Sequence, residues 1–570
     1  MHIDVVPNRG SRPAYLLRES FREGGRVLKR TLANLSRLPE EQILAIRAVL
    51  RGESLQPLQQ VFEPLESRPH GHVQAVRSAL RQLGIDALIA SRPSAQRARV
   101  CALVAARILA PDTKLATTRL WKTNTLLEEF GLSAAEATED DLYLAMDWLL
   151  QRQDRIEAKL AARHLSSGGL VLYDLSSSYF EGTQCPLAAR GHNRDGKKGK
   201  LQVNYGLLTD RRGCPVAVSV YKGNTSDGQT FLPQVRKLRE QFGLEHMVLI
   251  GDRGMISKAS IAALRQEEFS WITALKAAQI RSLIEAGTAQ IGLFDQRNLL
   301  EITQPEFPGE RLMACRNPEL AKLRAHTRTA LLEATTKELE KVRGMVARAR
   351  LQGRDQIGVR VGKVINKFKV AKHFELNIED TRFDFKLRQA QIDAEAMLDG
   401  LYVIRTDLKA ETMSAAETVR NYKALSSVER AFRCLKSVDL KVRPIHHRRE
   451  TRVRAHIFLC MLAYYVEWHM RAAWRELLFA DEDQDAKARR DPVAPAARSA
   501  AALQKISRRS LDDGTPLQSF RTLLQNLETL ARITCRSRAA TSPAAATFKM
   551  TTPPNSAQRR ALELIETLQV

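Results

Sequence analysis

Three carboxylates have the residue types and settings to hold divalent cations. Asp174 closes the apolar run in LVLYDLSSSYFEG, Asp252 follows the apolar run in MVLIGDRGMIS, and Glu429 sits in a basic helical stretch. Two cations held by such oxygens would activate an attacking oxygen and stabilise a leaving one, which is phosphodiester chemistry. Each acid alone has a plainer explanation. Aspartate is common where strands end in turns, and a Glu429–Arg433 pair at i, i+4 would stabilise an exposed helix by only ~0.2–0.5 kcal/mol.

The surroundings of Glu429 go beyond that explanation. Ser414-Ala415-Ala416-Glu417 has the form of a capping box, so a helix is expected from Ala415 to about Ser437. Tyr422, Glu429 and Lys436 then recur every two turns on one stripe, with steps of roughly 10 Å. Val428, Phe432 and Leu435 make an adjacent apolar stripe able to seat the helix on a sheet. The stripe adds a phenol and an ammonium, flanked by Arg430 and Arg433, groups suited to a phosphate or an unstacked base. Beside Asp252, Gly251 and Gly254 allow close backbone approach, with Arg253 between them.

The elements that must position these groups are legible in the patterning. Residues 14–35 read as a β-hairpin turning at Gly24-Gly25, assigning 1–36 to an N-terminal hairpin. Helical periodicity from 37 to 166 indicates an α-helical domain, and its arginines (Arg77, Arg81, Arg92, Arg97, Arg99) make it a candidate for DNA contact. After Ser166-Ser167-Gly168-Gly169 come strands at 170–175, 203–209 and 216–221. A helix at 228–242, a strand at 247–250, a helix at 257–266 and a strand at 271–275 follow. Three early strands and then alternating helices and strands imply an α/β layer with a mixed sheet, in an order that suits a ribonuclease-H-like catalytic core over 167–276 and 400–475. Residues 277–399 break the rhythm and read as an inserted subdomain. An Ala/Arg/Asp-rich stretch places a flexible linker at 476–515, before a C-terminal segment, 516–570, with two amphipathic pieces.

Bulk properties agree. A chain of 570 residues exceeds one hydrophobic core, and three or four domain-sized units are the expectation. Lysine and arginine outnumber aspartate and glutamate 89 to 64, a net charge of +25 that attracts a polyanion. The densest patch, KVRPIHHRRETRVRAH, holds Arg443, Arg448, Arg449, Arg452 and Arg454 against a single acid, Glu450, and is assigned to DNA; the basic loop 192–200 is a weaker candidate. His446, His447 and His456 have no cysteine motif nearby and are not read as metal ligands. Seven scattered cysteines without a CxxC pair are expected to be free thiols in a reducing cytoplasm. No segment has the ~20 apolar residues of a membrane span.

Four stretches, YDLSSSYFEG, YKGNTSDG, IGDRGMIS and YKALSSVERAFRCLKS, resemble the DDE transposases of bacterial insertion sequences, of the insertion-sequence-four type, with the sixteen-thirty-four subgroup as the finer placement. The likeness covers about residues 170–470. In that family the last motif runs Tyr, two residues, Arg, three residues, Glu, six residues, Lys. Tyr422, Glu429 and Lys436 match it, while Leu425 stands in the arginine position. The resemblance implies a ribonuclease-H-like core with an insertion before the glutamate, and Asp174, Asp252 and Glu429 as ligands of two Mg²⁺, with Mn²⁺ as a substitute. Tyr422, Arg430, Arg433, Lys436, Arg253, Arg448, Arg449 and Arg452 are the expected DNA-contacting residues. It further implies double-stranded DNA partners (the element's terminal inverted repeats and the target), a synaptic homodimer, and a cytoplasmic, nucleoid-associated enzyme that nicks element ends and joins them to target DNA. A nuclease of the same fold that does not transpose, and a transposase-derived DNA-binding protein without catalysis, are the rivals.

Overall fold

The computed structural model describes residues 1–8, 10, 12–53, 62–197, 199–286, 298–482, 489–495, 497–537 and 547–569. Parts of the expected linker and insertion, and Lys198 of the basic loop, lie outside them. Two compact units are present, Met1–Pro69 with Leu530–Pro553, and His70–Thr529 with Pro554–Val570.

In the first unit, His2–Val6, Ala14–Glu23 and Arg26–Asn34 form an antiparallel sheet. Glu23 pairs with Arg26 across Gly24 and Gly25, whose φ angles of 56° and 78° are the left-handed pair a two-residue hairpin requires. The helix Glu40–Leu50 follows. A second sheet orders Thr547–Thr551, Ala531–Ser537 and Phe62–Pro69 side by side. The stretch 37–166, expected to be helical throughout, therefore contains a strand. Its partner lies more than 460 residues away, a pairing that no local periodicity can signal.

The second unit is built on an eight-stranded mixed sheet. We number its strands β1 (Leu170–Tyr179), β2 (Gln202–Asp210), β3 (Pro215–Lys222), β4 (Val248–Gly251), β5 (Ser270–Ala274), β6 (Leu299–Ile302), β7 (Arg311–Arg316) and β8 (Leu401–Thr406). Their order is β6-β7-β8-β5-β4-β1-β2-β3. Strands β1 to β3 form an antiparallel meander, and β4 and β5 run parallel to β1 and to each other. The five-strand order β3-β2-β1-β4-β5 with these directions is that of a ribonuclease-H-like core.

Both faces of the sheet are covered, which is why its strands read as nearly continuous apolar runs. On one face, Val171, Tyr173, Leu249 and Trp271 pack with Phe231 and Val235 of the helix Asp227–Arg236 and with Ile261 and Leu264 of the helix Lys258–Gln266. Elsewhere the helix Glu450–Ala473, buried along most of its length, packs on β3 and on the helices Ala95–Leu109 and Glu139–Leu150. The helix Gln153–His164 is tied to the sheet as well. Its buried Glu157 accepts the Val218 N–H at 3.0 Å and pairs with Lys237 at 2.6 Å. The helices from Gly71 to His164 thus share a core with the catalytic sheet.

The stretch expected as an insertion divides into two parts. Strands β6 and β7 extend the main sheet: β7 pairs antiparallel with β8, itself antiparallel to β5, and β6 pairs antiparallel with β7 at the edge. The helices Pro318–Ala347 and Arg354–Phe368, with the hairpin Phe374–Ile378/Phe383–Leu387, close around a core of their own that includes Leu339, Val342, Ile357, Val361, Phe374 and Phe383. Within the expected linker, Ala500–Arg508 is a helix whose first turn is capped by Ser499, which accepts the Ala502 N–H at 3.1 Å. The C-terminal helix Ser556–Glu566 docks through Trp474, whose Nε1 donates to the Ala561 carbonyl at 2.8 Å. Among the described residues no helix is long and apolar enough to cross a membrane, and all seven cysteines are free thiols.

Candidate active site

Strands β1 and β4 deliver the two aspartates together. Their parallel register pairs Tyr173 with Gly251, so Asp174 and Asp252 are the next residues along neighbouring chains, and adjacent strands lie ~4.8 Å apart. The Asp174 Oδ1 accepts the Leu175 N–H at 2.8 Å, and the Asp252 Oδ1 accepts the Arg253 N–H at 2.7 Å. Asp252 is exposed and Asp174 partly so, and both line one cavity of about 720 Å³.

The third carboxylate arrives on the capped helix. Ser414 and Glu417 form the expected reciprocal box, the Ser414 N–H donating to Glu417 Oε2 at 3.1 Å and Ser414 Oγ accepting the Glu417 N–H at 3.3 Å. The helix is not the continuous one expected. It runs Ala415–Lys423, resumes as Leu425–Arg433, and widens into a π turn over Cys434–Val438. Val428, Phe432 and Leu435 are buried, and Phe432 meets the Tyr205 ring of β2 edge-on at 5.7 Å. The β2–β3 turn lies beneath this helix at Gly213. There φ is 85°, and a Cβ would come within 2.7 Å of Ser427 Cβ, so both the conformation and the close approach call for glycine. Despite the irregularity, Tyr422, Glu429 and Lys436 all line the same cavity as the aspartates, together with Arg433 and Leu425.

Of the three acids Asp174 is the least exposed, and it is the one whose titration the surroundings move most. Burial carries the Asp174 carboxyl up to about 7; the Leu175 N–H and Arg194 oppose that rise, while the charges of Asp252 and Glu429 add to it. Burial and then the Asp252 carboxylate raise the Tyr422 phenol, which stays protonated and donates to Asp252 Oδ1 at 3.4 Å.

The same cavity is lined by Arg194, Lys436 and Arg443, each held by one of two further carboxylates that sequence patterning did not single out. Arg194 pairs with Asp227 at 2.5 Å, while Lys436 and Arg443 both pair with Asp195, at 2.9 and 2.6 Å. The signal available for Asp195 was a lone acid in the basic loop 192–200, and for Asp227 its place in the YKGNTSDG stretch.

The other expected DNA-contacting residues scatter. Arg253 is exposed beside Asp252, and Arg430, Arg448 and Arg449 are exposed without lining the cavity. Arg452 lies over the Tyr143 ring at 4.2 Å with Asp147 at 4.0 Å, and Arg454 pairs with Glu450 and donates to the Val220 carbonyl. The patch 441–456 is therefore not one surface. His456 is buried between Arg107, at 3.3 Å, and the Val442 carbonyl, at 3.2 Å.

A ribonuclease-H-like sheet whose central parallel strands open into a carboxylate-lined cavity defines a class of enzymes that act on phosphodiesters. The Transposase DDE domain family matches residues 169–466, more than half of the chain, and the IS1634 family transposase N-terminal domain matches residues 3–60. The chain belongs to the DDE transposases, of the IS1634 type, and it is a DNA transposase that cleaves DNA and transfers strands with divalent metal ions. No curated protein matches it in sequence. Among solved structures it is similar to a piggyBac transposase synaptic complex with hairpin DNA, at 9% identity over 80% of this chain and 77% of that one, with a TM-score of 0.34, too slight to bear on fold or activity.

Proposed function

We propose that Asp174, Asp252 and Glu429 are the metal ligands of this transposase, that they hold two Mg²⁺ which Mn²⁺ can replace, and that the enzyme acts on its element's terminal inverted repeats as a synaptic homodimer. The observation that carries the reading is the convergence of three carboxylates, 255 residues apart at the extremes, on one cavity. The donor set fits a hard divalent cation. It is all oxygen, and an acid held at about 7 by burial and like charges favours either a proton or a cation.

When bound, such cations lower the barrier to attack by an oxygen nucleophile and stabilise the departing oxygen. The chain's own residues do the rest. Tyr422 donates to Asp252 and so holds that carboxylate's orientation. Arg433 and Lys436, four and seven positions beyond Glu429, line the cavity and are placed to receive phosphate oxygens of the bound strand. Leu425 lines it too, in the position the family fills with arginine. Lys423, the nearest cavity-lining cation in sequence, is committed to the Val493 and Ala494 carbonyls, each at 3.1 Å. Arg433 is the next one along the helix, and it supplies the guanidinium that Leu425 lacks.

A supercoiled plasmid carrying the element's terminal repeats tests the reading. Mg²⁺-dependent cleavage confined to the repeats, followed by strand joining, is the expected result. Random nicking would favour a non-transposing nuclease, and end binding with no product would favour a non-catalytic DNA-binding protein. Sedimentation of the complex with end DNA tests the dimer.

A further inference from the structure

Beside its three acids the cavity holds a cationic group whose organiser is itself an acid. Asp195 is almost fully buried, its side chain 1% exposed. Its Oδ1 faces both Lys436 Nζ, at 2.9 Å, and an Arg443 guanidinium nitrogen, at 2.6 Å. Its Oδ2 accepts the N–H of Tyr179, the last residue of β1, at 2.9 Å. The loop bearing it is fixed too. Asn193 Oδ1 accepts the Asp195 N–H at 2.8 Å, and Ser177 Oγ on β1 accepts the Arg194 N–H at 3.2 Å. Just past β1, Ile445 bridges to Phe180, and its N–H donates to the Tyr179 carbonyl at 3.2 Å.

Resting on the active-site reading above, we propose that Asp195 is a positioning residue: it holds Lys436 and Arg443 at a fixed offset from the strand that carries Asp174, so that a DNA phosphate neighbouring the cleaved one is set in register with the carboxylates. Two cations share one carboxylate, which leaves one positive charge for a phosphate. A long, flexible lysine is a poor ruler by itself, and a buried carboxylate on a loop tied to β1 makes it one. Asp195 touches no substrate in this role.

Electrostatics alone makes the opposite forecast from positioning, and that separates them. Removing an acid beside a polyanion site should hold or tighten DNA binding. Misplacing the cations should slow cleavage by up to about 100-fold, the cost of a displacement near 1 Å. The experiment compares full-length wild type, Asp195→Asn, Lys436→Met and the double variant on duplex element ends, reading end affinity and single-turnover cleavage separately. Expected are an Asp195→Asn variant that binds ends at least as well as wild type yet cleaves slowly, and a double variant whose loss falls well short of the product of the single losses. Wild-type cleavage by Asp195→Asn, or fully multiplicative losses, would overturn the proposal. If Asp195→Asn melts below the assay temperature, Asp195→Glu carries the test: slowed cleavage with unchanged end affinity supports the role, and wild-type cleavage removes it. Failure of the underlying site reading has a different signature, Asp174→Asn cleaving like wild type.

Discussion

The acids and the arginines of this transposase behave in opposite ways. Asp174, Asp252 and Glu429 are scattered along the sequence and meet in one cavity. Arg443, Arg448, Arg449, Arg452 and Arg454 are neighbours in sequence and part company: Arg443 joins Asp195 at the cavity, Arg452 and Arg454 are taken up by internal partners, and Arg448 and Arg449 face solvent. Closeness in sequence is a poor guide to shared work when the segment leaves a loop and enters a helix that is buried along most of its length, as here at Glu450.

The largest expected effect tests the acids. Asp252→Asn should reduce cleavage by more than about 100-fold, beyond the usual loss for an outer partner of a metal site, while end binding persists because no phosphate contact is removed. Near-normal cleavage rates would separate Asp252 from the metal.

The next concerns protons. Asp174 is carried from the ordinary aspartate range up to about 7. A folded-state value above the unfolded one stabilises the fold fully below about pH 4, and that contribution is lost as pH rises through about 7. The metal-free Asp174→Asn variant should therefore be more stable than wild type at pH 8, by at most about 4 kcal/mol, with the gap narrowing toward pH 5. Mg²⁺ affinity should rise over pH 6 to 8, since the cation needs the ionised form. Thermal melts and metal titrations across this range check both, and a pH-independent difference would show that Asp174 is not the titrating group.

Two smaller effects sharpen the contrast among the arginines. Arg448→Ala with Arg449→Ala should weaken DNA binding and lower the slope of log affinity against log salt by up to about 2, leaving the melting temperature in place. Arg452→Ala should do the reverse, losing about 1 kcal/mol with the Tyr143 contact and keeping the salt slope. Swapped outcomes would restore the patch 441–456 as a single DNA-binding surface.

Much of the site was legible because its signals are local. An apolar run ending in aspartate, a capping box at Ser414 and a seven-residue recurrence of Tyr422, Glu429 and Lys436 are all short-range; Asp252 does follow a strand end, whereas the strand expected to stop at Asp174 runs on to Tyr179 through its pairing with β2, and the other two signals correspond to a capped helix start and a set of cavity-lining residues. The helix's interruption near Ala424 and its π turn were not legible, because such departures answer to packing against β1 and β2 rather than to periodicity. The pairing of Phe62–Pro69 with Ala531–Ser537 was hidden for a related reason, its two halves lying at opposite ends of the chain.

By itself the amino-acid order determined which residues could do chemistry, which of them apolar strands would carry, and that a basic chain would seek a polyanion. Only the tertiary structure decided which charges remain available. A carboxylate or guanidinium has the same intrinsic chemistry wherever it stands in the sequence, but burial and the partner the fold brings to it set whether it meets a ligand or a neighbour. That is why Asp195, unremarked in a basic loop, ends up holding Lys436 and Arg443, while Arg452, in the densest basic patch, ends up against Tyr143.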